Sequence, residues 1–533
     1  MFCESEIMSL PINNSNINDN IKYRIKSQNN NNNSKNSAVK NNTVSRQQSF
    51  KAAADVLTSV FKWCDANPVG GVIAIDIVST DIPRTYVDLK TAGPAAAVET
   101  IRREFSGTFV DCIMPGFIVL GAGKLLNSAF MKRFNTDMTS SWASSEALDK
   151  LASIYKPIAA STSNDKTREF VKNTLNSIKG FDTEAWVDFA EKIPKNKLNE
   201  IIDKLTSIIN NDKLSTKETK NVLDEVYKNI TRETNCSNTI KFKGDKKEYG
   251  SNLADLLRDT VELGRKFKNN KISSNLDDFI EKSKKMLTAK SLIGLAITLP
   301  IAMSLQTINR YLTRKKYKVE GAPIYKDFEK GNANHKKMDD KEKKIFWGEK
   351  ILASVAMTGL AALSLKKKPS LSMLQFNGLF PSMDQCRIIS LVTFISRLFA
   401  SEDKNELRES FIRDAISFAS FYFLGDYVAK GTATLFEKYN KDVKLINRFA
   451  KSSKNDSIFK KFKIWASDTA LKSFDEIKGK KATNLRSVAQ AAGLAFSLVT
   501  LGILLPIYNR KITEKKVKSQ EKVKINQENV KNT

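Results

Sequence analysis

Between residues 76 and 111 the chain threads Asp76, Asp81, Arg84, Asp88, Glu99, Arg102, Arg103, Glu104 and Asp111 through apolar surroundings. A charge set against an apolar wall is costly unless paired or solvated, so such a cluster either braces helices or lines a polar path. The residue types fit two chemistries. One is an ion or proton site, with Asp76 and Asp81 as acceptors and Arg84 as counter-charge; the other is structural ion pairing. The candidate cluster comprises Asp76, Asp81, Arg84, Asp88, Glu99, Arg103 and Asp111, and the spacing of Glu99 and Arg103 predicts an i,i+4 pair. Arg397, Arg413, Asp414 and Asp426 are expected to pair with each other across two short helices.

A second constellation is a repeated phrase. "NRYLTRKK" at 309–316 and "NRKITEKK" at 509–516 each follow a charge-free apolar run, residues 291–309 and 487–509. The shared positions are Asn309/Asn509, Arg310/Arg510, Thr313/Thr513, Lys315/Lys515 and Lys316/Lys516. Upstream, "GLAITL" from Gly294 matches "GLAFSL" from Gly493, and "GLAALSL" from Gly359 echoes both. Cations at the end of an apolar helix reach lipid phosphates and suit the negative end of the helix dipole, while Gly and Ala allow close helix approach in lipid. The phrase is therefore expected to be a collar for anionic lipid headgroups.

Other motifs exclude more than they suggest. "GFIVLGAGK", ending at Lys124, lacks the glycine and the Ser or Thr that a phosphate loop needs, since Ile118 and Leu125 occupy those places. The single histidine, His335, lies in a polar stretch among lysines, which argues against His-based metal sites and Ser-His-Asp hydrolysis. Cys3, Cys64, Cys112, Cys236 and Cys386 are scattered with no C-x-x-C pair, a spacing that suits neither a disulfide framework nor a zinc site. No cofactor, no metal and no enzymatic activity are expected. The net charge of +29 suits a polyanionic surface, but no nucleic-acid-binding module accompanies it, and lysine-rich codon usage explains the excess equally well.

The elements that must position these residues are helices. An Asn-rich tail, residues 1–48, is too polar to form a core and is expected to be disordered. Residues 49–135 form an N-terminal helical region: a helix over 49–65, a mixed segment with a helix start near Pro83, and a helix opening at Gly93-Pro94 that could run into 112–123. Residues 136–290 are soluble and amphipathic, with stripes Leu198, Ile201, Ile202, Leu205, Ile208, Ile209, then Val222, Leu223, Val226, Tyr227, then Leu253, Leu256, Leu257, Val261. No β-alternation is visible there, which predicts an all-α region.

Membrane helices are expected in 291–430, with a basic loop at 310–350, and in 486–509, separated by a Lys-rich helical linker, 431–485, and followed by a basic tail, 510–533. Runs of 19 and 23 uncharged residues approach the roughly 20 needed for a span, and 351–365 is a third span. Segments 112–130, 388–396 and 415–425 are weaker. The two collars should share one membrane face, which requires an odd number of crossings between them. With 13 Lys and Arg against 7 acids in 310–350, and 8 against 3 in the tail, that face is expected to be cytoplasmic, although 431–486 is Lys-rich too. The fold class is thus mainly α: a multi-spanning helical membrane protein with a water-exposed amphipathic segment. The expected role is structural, scaffolding or lipid-organising. The alternatives are a transporter or channel using the 76–111 cluster, and a soluble basic scaffold on a polyanionic surface.

Overall fold

The computed structural model describes residues 55–65, 67–139, 143–182, 185–245, 248–317, 339–364, 374–376, 381–450, 453 and 456–531. The Asn-rich tail and His335 lie outside them. Contacts divide the chain at Val56, and the larger unit is Leu57–Thr533. It is mainly helical, and four helices are long and apolar enough to cross a membrane: Pro94–Phe134, Leu276–Lys316, Asp340–Ser364 and Lys480–Lys516. The weak segment 112–130 falls within the first of these; 388–396 and 415–425 fall on helices that are not among the four.

Helix α1 spans 55–65 and α2 spans 68–92, opened by Pro68 in its first turn. The helix start expected at Pro83 does not occur. Asp81 keeps helical backbone angles, and α2 runs on through a π-turn at Ile77–Asp81. A proline removes the N–H that would bond the carbonyl four residues back and pushes that carbonyl aside. The widened π-turn makes that room. Gly93, at φ 87°, ends α2, and Pro94 opens α3 (Pro94–Phe134), as the sequence predicts. Helix α3 carries its own π-turn at Phe109–Ile113, followed by Pro115.

The segment between α3 and the next long helix, α9 (Leu276–Tyr317), forms a domain with its own apolar core. Its helices are α4 (Ser145–Ala159), α5 (Lys166–Asn176), α6 (Lys195–Asn210), α7 (Thr216–Thr234) and α8 (Leu253–Phe267). The predicted stripes pack inward: Ile201, Ile202, Leu205, Ile208, Ile209, Val226, Leu253, Leu256, Leu257 and Val261 are buried, with Leu198, Val222, Leu223 and Tyr227 at the edge. Phe130 and Phe134 of α3 and Phe279 of α9 join the same core, so the domain is built onto the ends of those two helices. On α8, burial pushes the Asp259 carboxyl up to about 7, although Arg258 donates to it through Nε at 3.2 Å and Nη2 at 2.9 Å.

The domain is not all-α. Strands β1 (Ile178–Asp182), β2 (Ala185–Asp188) and β3 (Ile240–Phe242) form an antiparallel sheet in the order β2-β1-β3. Strands this short give too few alternations for a period of two to emerge.

After α10 (Asp340–Ser364) come α11 (Met383–Ala400) and α12 (404–439), the latter with a π-turn at Ser420–Leu424. The expected helical linker 431–485 is instead a small second domain. It pairs β4 (Ile446–Arg448) with β5 (Thr469–Leu471) and places α13 (Ile458–Ser467) between them. The last helix, α14 (480–531), has a π-turn at Leu498–Leu504 with Pro506 behind it. The two domains touch: the rings of Phe181 and Phe449 lie 4.5 Å apart. Helices α12 and α14 approach closely where glycine permits it. A methyl at Gly493 would come within 2.6 Å of the Gly425 carbonyl oxygen.

Candidate functional site

The charged residues of 76–111 meet those of α11 and α12 in the interior of the helical bundle. Two carboxylates anchor the cluster. Glu104 accepts from Arg103 through Nε at 3.1 Å and Nη2 at 2.9 Å, and faces Arg84 Nη1 at 3.4 Å. Asp414 lies between Arg397 Nη1 at 3.3 Å and Arg413 Nε at 3.1 Å. Each carboxylate is thus held by two guanidiniums, a pairing that offsets the cost of burying it. Arg84 also donates to the Ser417 hydroxyl at 2.8 Å and to the Leu501 carbonyl at 3.0 Å, joining α2 to both α12 and α14.

The remaining aspartates of the cluster are held differently. Thr108 donates to Asp76, Thr100 donates to Asp88 at 2.6 Å, and Thr393 donates to Asp111 at 2.8 Å. Asp81 is 3% exposed, and neither of its carboxyl oxygens has a partner among the described residues. No cation among those residues stands within 4.0 Å of any of these four carboxyls. Those that are bonded are bonded by hydroxyls, which can accept as readily as donate.

Two small cavities adjoin this set. The first, about 70 Å³, is lined by Asp76, Thr80, Arg84, Asp111, Arg397 and Asp414 among others. That volume holds a few water molecules and no organic substrate. One oxygen of Asp414, on its wall, is buried without a hydrogen-bond partner among the described residues. The second, about 50 Å³, is lined by Asp88, Arg103, Glu409, Arg413, Asn509 and Arg510, with Arg84 on the wall of both. Among the described residues no group of three or more His, Cys, Asp or Glu is placed to hold a metal ion.

Several expected partners change. Arg84 serves Glu104 rather than Asp76 or Asp81. Arg103 turns to its neighbour Glu104 and not to Glu99, because the Glu104 carboxylate is also the meeting point for Arg84. Arg397 and Arg413 do pair with Asp414, whereas Asp426 pairs with Lys430 at 3.1 Å on its own helix.

The collars divide into an inner and an outer half. Lys315, Lys316, Lys515 and Lys516 are exposed at the helix ends. Asn309, Arg310, Thr313, Asn509 and Thr513 are buried against protein, and Arg510 is half-buried. Arg310 bonds the Ala400 carbonyl at 2.5 Å and pairs with Glu402 and Glu406. Thr313 accepts from Arg102 at 3.0 Å. Thr513 accepts from Arg408 at 2.7 Å and donates to Glu409. Helical spacing explains the split: positions one, two and five of the phrase share the face that meets the neighbouring helix, and the lysines point away.

Glu104, Glu409, Arg413, Asp414 and Arg397 complete the site, and the sequence carries a signal for them. Residues 99–104 read E-T-I-R-R-E and residues 409–414 read E-S-F-I-R-D, one pattern 310 positions apart. Compared with family models, with curated proteins and with solved structures, the chain matches none.

Proposed function

We propose that this is a multi-pass membrane protein that moves protons across the bilayer through the charged interior of its bundle. The observation that carries the reading is the set Asp76, Asp81, Asp88 and Asp111: buried or half-buried carboxyls with no cation partner among the described residues, three of which, Asp76, Asp88 and Asp111, line water-sized cavities. Ionisable groups inside a membrane bundle are expensive, and those without a fixed counter-charge suit uptake and release of a proton through a hydroxyl or water. Arg84, on the wall of both cavities, separates a path on the Asp76–Asp111 side from one leading past Asp88 and Glu409 to the collar. A positive charge there favours proton transfer between carboxyls over passage of a metal cation.

In this reading α3, α9, α10 and α14 cross the bilayer, and α2, α11 and α12 complete the bundle between them. The lysines of the collars, loop 310–350 and the C-terminal tail face an anionic cytoplasmic leaflet. The structural or lipid-organising role expected from the sequence ranks second. It rested on the absence of charge from the two strongest spans, and the charge sits instead on the helices packed beside them. The exposed lysine pairs still favour a lipid-facing function for the helix ends.

The test is proton flux into vesicles reconstituted with the full chain and an entrapped pH-sensitive dye, under an imposed potential. The unaltered protein should acidify the lumen several-fold faster than protein-free vesicles, and Asp76→Asn and Asp111→Asn should return the rate to that background. Equal rates for the unaltered protein and for protein-free vesicles would reject the proposal in favour of the structural role.

A further inference from the structure

The six-residue pattern is one of three that occur twice in the same order. Thr80-x-x-x-Arg84 on α2 matches Thr393-x-x-x-Arg397 on α11; Glu99-Thr-x-x-Arg103-Glu104 on α3 matches Glu409-Ser-x-x-Arg413-Asp414 on α12; and the collar of α9 matches that of α14. In both series a domain containing an antiparallel sheet follows the second helix, and the long helix with the collar follows the domain.

The contacts repeat along with the letters. Arg84 reaches Glu104 of its own series, and Arg397 reaches Asp414 of its own. Arg102 and Arg408, one turn apart on equivalent faces, donate to Thr313 and Thr513. The crossings between the series match too. Three residues after Glu104 and after Asp414 stand Gly107 and Ser417; Arg397 lies over Gly107, and Arg84 donates to Ser417. Pro83 of α2 packs on Gly502 of α14, and Ser396 of α11 contacts the Ala302 carbonyl of α9. Such reciprocity is that of two units related by a twofold axis. Because the two domains touch, and the collars end both long helices, the axis runs along the bundle, as in parallel membrane repeats.

One set of residues breaks the symmetry. The counterparts of Asp76, Asp81 and Asp88 in the second unit are Ile389, Phe394 and Ser401, and the place of Asp111 falls at Phe421 or Tyr422. Thr80 displays the consequence. Its counterpart Thr393 donates to Asp111 of the other unit, while Thr80 shares the wall of the first cavity with Phe421 and Tyr422, the residues at the place of Asp111.

We infer that the chain is an internal duplication of a three-helix unit, residues 68–317 and 383–531, whose shared Arg, Glu and Thr residues form a scaffold around a single ion-carrying site that belongs to the first unit alone: Asp76, Asp81, Asp88 and Asp111. This rests on the proton reading for what the site carries, but the division into scaffold and site does not. The duplicated residues hold the units together and act as positioning residues. Of the aspartates found in one unit only, Asp76 and Asp88 bond within their own unit and Asp81 bonds none of the described residues, while Asp111 meets the second unit through the Thr393 hydroxyl alone.

Thermal unfolding of the full chain in detergent, read alongside flux, separates the two roles. Arg84→Gln and Arg397→Gln should each lower Tm by several degrees and agree within about 2 °C. Glu99→Gln and Glu409→Gln, which keep their shape, should form a second matched and milder pair. Asp76→Asn and Asp111→Asn should leave Tm unchanged or raised, because each keeps an oxygen to accept from its threonine and removes a carboxyl that no described cation pairs, while abolishing flux. Flux absent from the unaltered protein would end the proton reading and leave the Tm comparison to decide the division. Unequal Tm shifts within either matched pair would overturn the duplication of the scaffold. So would a loss from Asp76→Asn as large as that from Arg84→Gln.

Discussion

Replacing Gly493 by alanine places one methyl group where the α12 backbone already stands. The added carbon would lie 2.6 Å from the Gly425 carbonyl oxygen and 3.3 Å from the Ala429 methyl. Comfortable contact needs roughly 3.5 Å, so α12 and α14 must separate by close to ~1 Å. The obstacle is backbone, which cannot rotate away as a side chain can. Overpacking of this kind costs about 1–3 kcal/mol, offset by ~1 kcal/mol of improved helix propensity over glycine. Gly294 offers a graded comparison, since its added methyl would meet the Val119 side chain, which has other rotamers. A methyl added at Gly431 or Gly359 would meet no atom of the described residues within 4 Å, so these serve as controls that should gain stability. Differential scanning fluorimetry of the full chain in detergent should order Tm as Gly431→Ala above unaltered, and Gly493→Ala lowest. A Gly493→Ala protein as stable as Gly431→Ala would refute the close approach of α12 and α14.

Three further outcomes are expected. Asp259 holds its proton to about pH 7 in the folded domain but releases it near 4 when unfolded, so stability falls as pH rises between those values, by up to roughly 4 kcal/mol; Asp259→Asn should flatten the Tm difference between pH 5 and 7.5. Cysteines placed at Lys213 and Lys461 should label from one side of a sealed vesicle, and those at Lys316 and Lys516 from the other; labelling of 316 and 516 from opposite sides would end the parallel arrangement of the units. Phe449→Ala should free the two sheet-containing domains from one another at a cost of about 1 kcal/mol, seen as faster proteolysis of the second domain with little change in the bundle.

Much of the helical layout is legible in the sequence because its signals are local. The stripe from Ile201 to Ile209, the opening at Gly93-Pro94 and the charge-free runs each state a periodicity or a length that one helix must satisfy. Strand β3 has three residues and β4 has three, too few to state a period. Pro83 points to a helix start because proline ordinarily breaks a helix, and nothing local announces that a π-turn carries α2 past it. The aspartates of the site are legible as unusual residues, but their partners are not. Whether Arg84 meets Asp81 or Glu104 depends on how α2 and α3 are rotated against α12, which only the assembled bundle decides. The likeness of 99–104 to 409–414 is present in the letters, yet apolar periodicity passes over it because its shared residues are polar and conventionally belong on surfaces.

The π-turn at Leu498–Leu504 has a consequence for how the two halves have been able to diverge. Gly294 precedes Asn309 by 15 residues, whereas Gly493 precedes Asn509 by 16. In an unbroken α-helix one surplus residue swings everything beyond it by about 100°, which would aim Asn509, Arg510 and Thr513 away from α12. The wide turn takes up the surplus within its own loop of backbone and returns the helix to its former phase. An insertion that would otherwise scramble an entire interface is thereby silenced a few residues from where it arose. The two long helices can keep different lengths of text while their last lines still fall on the same face.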